Sequence, residues 1–145
     1  MPTERTLVII KPDGVASDWS DDIENRYTAA GFRVIAKGRY RFPYDTARLF
    51  YEEHHGKFFF IGICLAMSSG PSQILLLEGE DAIRRVRALN GATDPAKAEP
   101  GTIRHDFRSA GGPFNTVHAS DSQDAYEREI HILWVHTGIA DIPRS

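Results

Sequence analysis

Cysteine is nearly absent: the 145 residues hold one, Cys64, so neither a disulfide framework nor a paired-cysteine metal site can be built within one chain. Long apolar runs are missing too. No stretch approaches the roughly 18 residues of a membrane span, and the start, Met1 to Ile10, is polar before a short strand-like run, unlike a signal peptide. Neither charge sign dominates: 17 Lys and Arg against 20 Asp and Glu leave a net charge of -3, which supplies no field to hold a polyanion by counterion release. The glycine-rich nucleotide motifs are lacking as well. There is no G-x-G-x-x-G, and Gly56-Lys57-Phe58 has neither the upstream glycine nor the Ser or Thr of a P-loop. Repeats, linkers and low-complexity tracts are absent. The expectation is a cytoplasmic protein with no membrane and no nucleic-acid partner. Small phosphate ligands remain open to it, since they need only a local cluster of cations.

The length and an apolar share of 41% fit a single domain, residues 1–145, around one core. Leu7 to Ile10 reads as a buried strand stopped by the turn signal Lys11-Pro12-Asp13-Gly14. A helix follows, with Asp18, Ser20, Asp21 and Asp22 as caps and first-turn acids and Gly31 at its exit. Phe32 to Phe42 reads as a strand ended by Pro43. Asp45 to His55 and Phe58 to Met67 form a helical pair that interrupts the alternation. Gln73 to Leu77 is a further buried strand, and Asp81 to Leu89 a further helix with Gly91 past its end. Ala92 to Asn115 has little periodicity and reads as a long loop, with one helical turn begun by Asp94-Pro95. Thr116-Val117-His118 makes a short last strand, and Asp121 or Ser122 caps a helix through Glu129 toward Trp134. This order predicts an α+β, ferredoxin-like βαββαβ antiparallel sheet with helices on one face, a helical insertion, and a long loop before His118.

Three cations stand at element ends or in loops: Lys11 after the first strand, Arg87 on the helix after the third, and Arg104 in the long loop. Convergent, they would clamp phosphates, Arg as a bidentate fork and Lys as a point charge. His118 is the candidate nucleophile, because an imidazole with reference pKa ~6.5 attacks phosphorus at neutral pH without an added base. Glu129, on the following helix, is placed to reach back and fix its tautomer. A core histidine satisfied by hydrogen bonds is the alternative. His54 and His55 are adjacent on a helix and point apart, and His131 and His136 lack ligand partners at metal spacing, so a zinc site is not expected. Of the run Phe58-Phe59-Phe60, any ring left at a pocket mouth would stack on a base of any identity, whereas packed rings would be core.

From about Glu4 to Trp134 the chain resembles the nucleoside diphosphate kinase family. The segments that carry the likeness are Glu4-Arg5-Thr6-Leu7, Lys11-Pro12-Asp13-Gly14-Val15, Met67-Ser68-Ser69-Gly70-Pro71, Leu77-Glu78-Gly79, Gly91-Ala92-Thr93-Asp94-Pro95, Pro100-Gly101-Thr102-Ile103-Arg104 and Asn115 through Ser122, in that order. The resemblance implies ping-pong transfer of the terminal phosphoryl group of a nucleoside triphosphate, typically ATP, to a nucleoside diphosphate through phosphorylated His118. It implies further that Lys11, Tyr51, Arg87, Thr93, Arg104 and Asn115 hold phosphates and ribose, that Phe59 stacks on the base, and that Ser120 and Glu129 position His118. Mg²⁺ would ride on the phosphates, with Asp121 reaching it at most through water. A homo-oligomer, dimer, tetramer or hexamer, is implied as well.

The sequence departs from the common pattern at several positions. Ala119 stands where glycine is usual, Ser17 where arginine is usual, and Phe58 and Ile61 where prolines are frequent. The stretch from Phe107 to Asn115 is one residue longer than usual. Two other readings compete: a catalytically silent nucleotide-binding relative, and an RNA-binding module on the same sheet. Retention of His118 with its cations disfavours the first, and the missing aromatic and basic sheet signature disfavours the second.

Overall fold

The structure is a computed structural model that describes residues 2–136, so Met1 and residues 137–145 of the expected single domain lie outside it. The apolar run that begins at Leu7 lies at the end of β1 (Thr3–Ile10), which starts four residues earlier than the run itself. Lys11-Pro12-Asp13-Gly14 does not simply turn. Proline at the first helical position opens a five-residue helix, α1 (Pro12–Ala16), because its fixed φ suits a first turn and its missing N–H costs nothing there. The helix expected before Gly31 is α2 (Ser20–Ala29), and Gly31 takes φ +99°, the left-handed exit that glycine allows. Then come β2 (Arg33–Tyr40), α3 (Tyr44–Phe50), a three-ten turn at Glu52–His54, α4 (Phe60–Met67), β3 (Ser72–Glu80) and α5 (Ala82–Asn90). The long loop holds the expected turn at Pro95–Lys97, where the Asp94 carboxylate accepts the Ala96 N–H, and a second helical turn, α6 (Ile103–Asp106). The chain closes with β4 (Val117–Ala119) and α7 (Gln123–His136).

The sheet order is β2-β3-β1-β4 with every pair antiparallel, the ferredoxin-like arrangement expected from the alternation. A bulge between Val34 and Ala36 breaks the β2–β3 register. One expectation fails: helices cover both faces of the sheet. Leu7 and Ile9 pack with α3, α4 and α7, whereas Val8 and Ile10 pack with α2, α5 and α6. The physical reason was visible in β1. Leu7, Val8, Ile9 and Ile10 are all fully buried, and an unbroken apolar run, unlike an alternating one, needs cover on both sides. Each of those side chains contributes about 1.5–3 kcal/mol by leaving water.

The two layers decide where the chemistry sits. His118 pairs with Ile9 across the β1–β4 ladder, so it faces the side of α3, α4 and α7, while Val117 and Ala119 face the opposite core. The helical insertion therefore roofs the imidazole.

Candidate active site

His118 lies on β4, an edge strand of three residues, with 19% of its side chain exposed. Its ring meets Phe50 and Tyr51 edge-on at 5.2 and 5.8 Å, so two aromatics fix the plane of the imidazole. Its Nε2 lies 3.1 Å from Glu129 Oε1, and the Ser120 hydroxyl donates to the same oxygen at 2.7 Å. Oε1 is thus an acceptor, Nε2 must be the donor, and Nδ1 keeps the free lone pair. Glu129 is only 3% exposed and lies on the apolar face of α7 with Tyr126, Ile130 and Leu133. A carboxylate is stable at such a position only when hydrogen-bonded and paired, and His118 and Ser120 meet that need.

The three cations lie on one cleft. Lys11, Arg87 and Arg104 line this space of about 650 Å³ with Tyr51, Phe59, Thr93, Asn115, His118, Asp121 and Glu129. Ser120 sits behind this wall, fully buried. Lys11 is 4% exposed, and its ammonium donates to Asn115 Oδ1 at 2.9 Å and to the Pro113 carbonyl at 2.8 Å. Burial lowers its pKa to about 8, with the Arg104 charge pressing the same way and Asp13 opposing. Arg104 donates from Nε, Nη1 and Nη2 to the carbonyls of Asn115, Gly91 and Val117 at 3.2, 2.8 and 2.8 Å. Burial and the neighbouring Arg87 lower its pKa too. Burial disfavours the charged forms of Lys11 and Arg104, so an anion entering the cleft beside them and Arg87 is favoured.

Arg87 and Thr93 are exposed at the rim, and the Thr93 carbonyl accepts the Asn115 amide at 3.1 Å. Phe59 is half-buried, with the Lys57 ammonium 5.7 Å from its ring centre, while Phe58 is 99% exposed. Tyr51 donates its hydroxyl to the Met67 sulfur at 3.9 Å, and burial pushes its pKa up. What Tyr51 presents to the cleft is therefore its ring.

Among the cleft residues to which sequence reading assigned no role there, Phe50 and Glu53 included, is His54. His54 lies on the cleft wall, stacked on Tyr51 at a centroid separation of 6.5 Å and tilted against Phe59 at 5.2 Å. The signal was its spacing: positions i and i+3 eclipse in a three-ten turn, so His54 follows Tyr51, and its sequence neighbour His55 goes to Phe60 instead.

Among the described residues no three or more His, Cys, Asp or Glu side chains gather as metal ligands. A cation caged by protein groups does not fit. Of the two exposed carboxylates on the cleft wall, Glu53 and Asp121, the second, close in sequence to His118, fits an ion whose other ligands are phosphate oxygens and water. Among the described residues no helix is long and apolar enough to cross a membrane.

Comparison with known proteins follows the same lines. The family described as nucleoside diphosphate kinase matches residues 4–139. The nucleoside diphosphate kinase of Acidiphilium cryptum is 45% identical over 130 residues, covering 90% of this chain and 92% of that protein. That of Methanocaldococcus jannaschii is 41% identical over 138 residues, covering 95% and 98%. Among solved structures, the Aquifex aeolicus nucleoside diphosphate kinase superposes with a TM-score of 0.88 at 37% identity, covering 97% of this chain and 100% of that one. The Halobacterium salinarum nucleoside diphosphate kinase, solved in complex with CDP, gives 0.88 at 38% identity, covering 97% and 91%.

Proposed function

The chain belongs to the nucleoside diphosphate kinase family and is an enzyme of that kind, and from that premise we propose that His118 carries the phosphoryl group between its two nucleotides. The observation that carries this reading is the Nε2–Glu129 contact at 3.1 Å, which leaves Nδ1 as the nucleophilic nitrogen. In the first half-reaction Nδ1 attacks the terminal phosphorus of a nucleoside triphosphate, typically ATP. The N–P bond forms as the bond from phosphorus to the bridging oxygen breaks, and the diphosphate leaves with that electron pair. In the second half the terminal oxygen of an acceptor diphosphate attacks the same phosphorus and returns the electron pair to Nδ1.

The charge that develops on the imidazole is met by Glu129, which Ser120 holds in place. Lys11, Arg87 and Arg104 offset the charge spread over the phosphoryl oxygens. Asn115 and Thr93, with Lys11, hold ribose hydroxyls and phosphates, Tyr51 walls the site, and Phe59 stacks on the base without choosing among bases. Asp121 would reach, through water, a divalent cation such as Mg²⁺ carried by the nucleotide, and that ion would supply positive charge to the phosphates. The domain is the whole chain, 1–145, which works in the cytoplasm as a homo-oligomer.

Intact mass tests the reading. After incubation with Mg-ATP the protein gains one acid-labile phosphoryl group, and GDP then removes it as GTP. Nucleotide binding without a phosphoprotein would refute the covalent route.

The lowered pKa of Lys11 gives a second expectation. Above about pH 8 the free enzyme loses a positive charge that the phosphates require. The ratio kcat/KM for Mg-ATP then falls about tenfold per pH unit, because it reports the free enzyme. Bound phosphates raise the same pKa, so kcat itself declines only at higher pH. Substituting Lys11→Arg removes this alkaline limb, and a pH profile of the two proteins checks it.

A further inference from the structure

The backbone just before His118 takes a conformation that a β-branched residue avoids. Thr116, fully buried, has φ +74°, and the Val117 N–H donates to the Asn115 carbonyl at 2.8 Å. Asn115, Thr116 and Val117 thus form a γ-turn of the rare positive-φ kind. We propose that Asp13 is a positioning residue for phosphoryl transfer, holding Thr116 in this turn with Ser109 as its second anchor. The proposal rests on the reading of His118 as nucleophile.

Asp13 Oδ2 accepts the Thr116 N–H at 3.0 Å and the Ser109 hydroxyl at 2.6 Å. The Thr116 hydroxyl donates to the Phe107 carbonyl at 2.6 Å and lies 3.0 Å from Ser109 Oγ. The two hydroxyls have one proton each, and these go to the two shorter contacts. On the other side of the turn the Lys11 N–H donates to the Thr116 carbonyl at 2.8 Å. Both peptide groups flanking Thr116 are therefore held by the segment that ends β1. Gly14 permits that closeness, since a Cβ there would lie 3.2 Å from the Thr116 carbonyl oxygen and 2.9 Å from Ile10 Cγ2.

The clamp matters because β4 is too short to place His118 alone. With three residues on one neighbour, the strand takes its direction from the turn that feeds it. If Thr116 relaxes to a negative φ, Val117 and His118 rotate, and the Nε2–Glu129 contact goes with them. Asp13, Ser109 and Thr116 do not line the cleft. Their effect on the reaction is exerted through the imidazole.

Asp13 also faces Lys11 electrostatically, so the test must separate clamping from charge. Glycine adopts positive φ without cost, hence Thr116→Gly restores the turn in an Asp13→Ala background and leaves the missing charge unrestored. The readouts are the single-turnover rate of His118 phosphorylation from Mg-ATP and the dissociation constant of ADP. Asp13→Ala is expected to slow phosphorylation about a hundredfold, with ADP affinity changed less than about threefold. Asp13→Ala/Thr116→Gly should regain at least about tenfold in rate. A parental rate in Asp13→Ala, or no recovery in the double variant, overturns the proposal. Should Asp13→Ala fail to fold, Ser109→Ala removes one anchor alone. It is expected to slow phosphorylation about fivefold at unchanged ADP affinity, and an unchanged rate counts against the clamp. The His118 imidazole NMR signals, which need no turnover, should shift in Asp13→Ala and return in the double variant. If the parent is never phosphorylated, the proposed function fails while these signals still decide the clamp.

Discussion

Exchange of His118 for asparagine is expected to lower kcat by at least about 10⁴-fold, the scale on which losing a covalent nucleophile is felt, and to leave no phosphoprotein. The size follows from what the site retains. The cations still bind phosphates, and two nucleotides can still visit in turn. Yet the other groups described around the imidazole are engaged elsewhere: Glu129 is buried behind it and bonded to Ser120, the Tyr51 hydroxyl is turned to Met67, and the second imidazole on the cleft wall, His54, has its ring nitrogens facing Lys57 and Glu53. Binding and transfer should therefore separate. ADP affinity in His118→Asn stays within about threefold of the parent, while the mass gain after Mg-ATP disappears. Initial rates of the parent at several fixed GDP concentrations give parallel double-reciprocal lines, since the diphosphate leaves before the acceptor binds. Intersecting lines with full activity in His118→Asn would point to direct transfer between two bound nucleotides.

Part of this centre was legible in the chain as candidates, while the choice of Tyr51, Thr93, Asn115 and Phe59 came from the family resemblance alone. Lys11 follows an apolar run, Arg87 lies on a short amphipathic helix, and Glu129 is one carboxylate on an otherwise apolar helical face, which made them candidates but could not show that they share one cleft. The sheet order followed from the alternation of elements. Three further features were not legible, each for a physical reason. Cover on the second face depends on where the inserted helices and α7 pack, although the unbroken Leu7–Ile10 run already demanded it. The place of His54 follows from a three-ten turn, whose threefold spacing differs from the α-helical spacing assumed for that segment. The positive φ of Thr116 is imposed by partners far away in sequence, Asp13 and Lys11, against the local preference of a β-branched residue. Local patterns carry no trace of it.

Arg104→Leu is expected to fail on two counts that can be measured apart. The guanidinium ties the carbonyls of Gly91, Asn115 and Val117 together, joining the end of α5 to the strand that bears His118. Leucine leaves the Gly91 and Val117 carbonyls without that donor, while the Asn115 carbonyl keeps only the Val117 N–H. At about 1–3 kcal/mol for each buried group left unpaired, and with water reaching part of the cleft, the net loss is about 3 kcal/mol. That corresponds to a fall in melting temperature on the order of 10 °C for a chain of this size. Activity should drop further than stability explains, by about 10³-fold in kcat/KM, because a cation facing the transferring phosphoryl group is removed as well. Arg104→Lys separates the two effects. An ammonium can return charge to the cleft but cannot span three diverging carbonyls as a planar fork does. Part of the activity should come back while the melting temperature stays low. The parent should also gain more thermal stability from bound ADP than Arg104→Leu does, because phosphate offsets the burial and the neighbouring Arg87 charge that lower the Arg104 pKa in the free protein. Equal gains in the two proteins would mean that Arg104 serves the main chain alone and that phosphate is held by the other two cations.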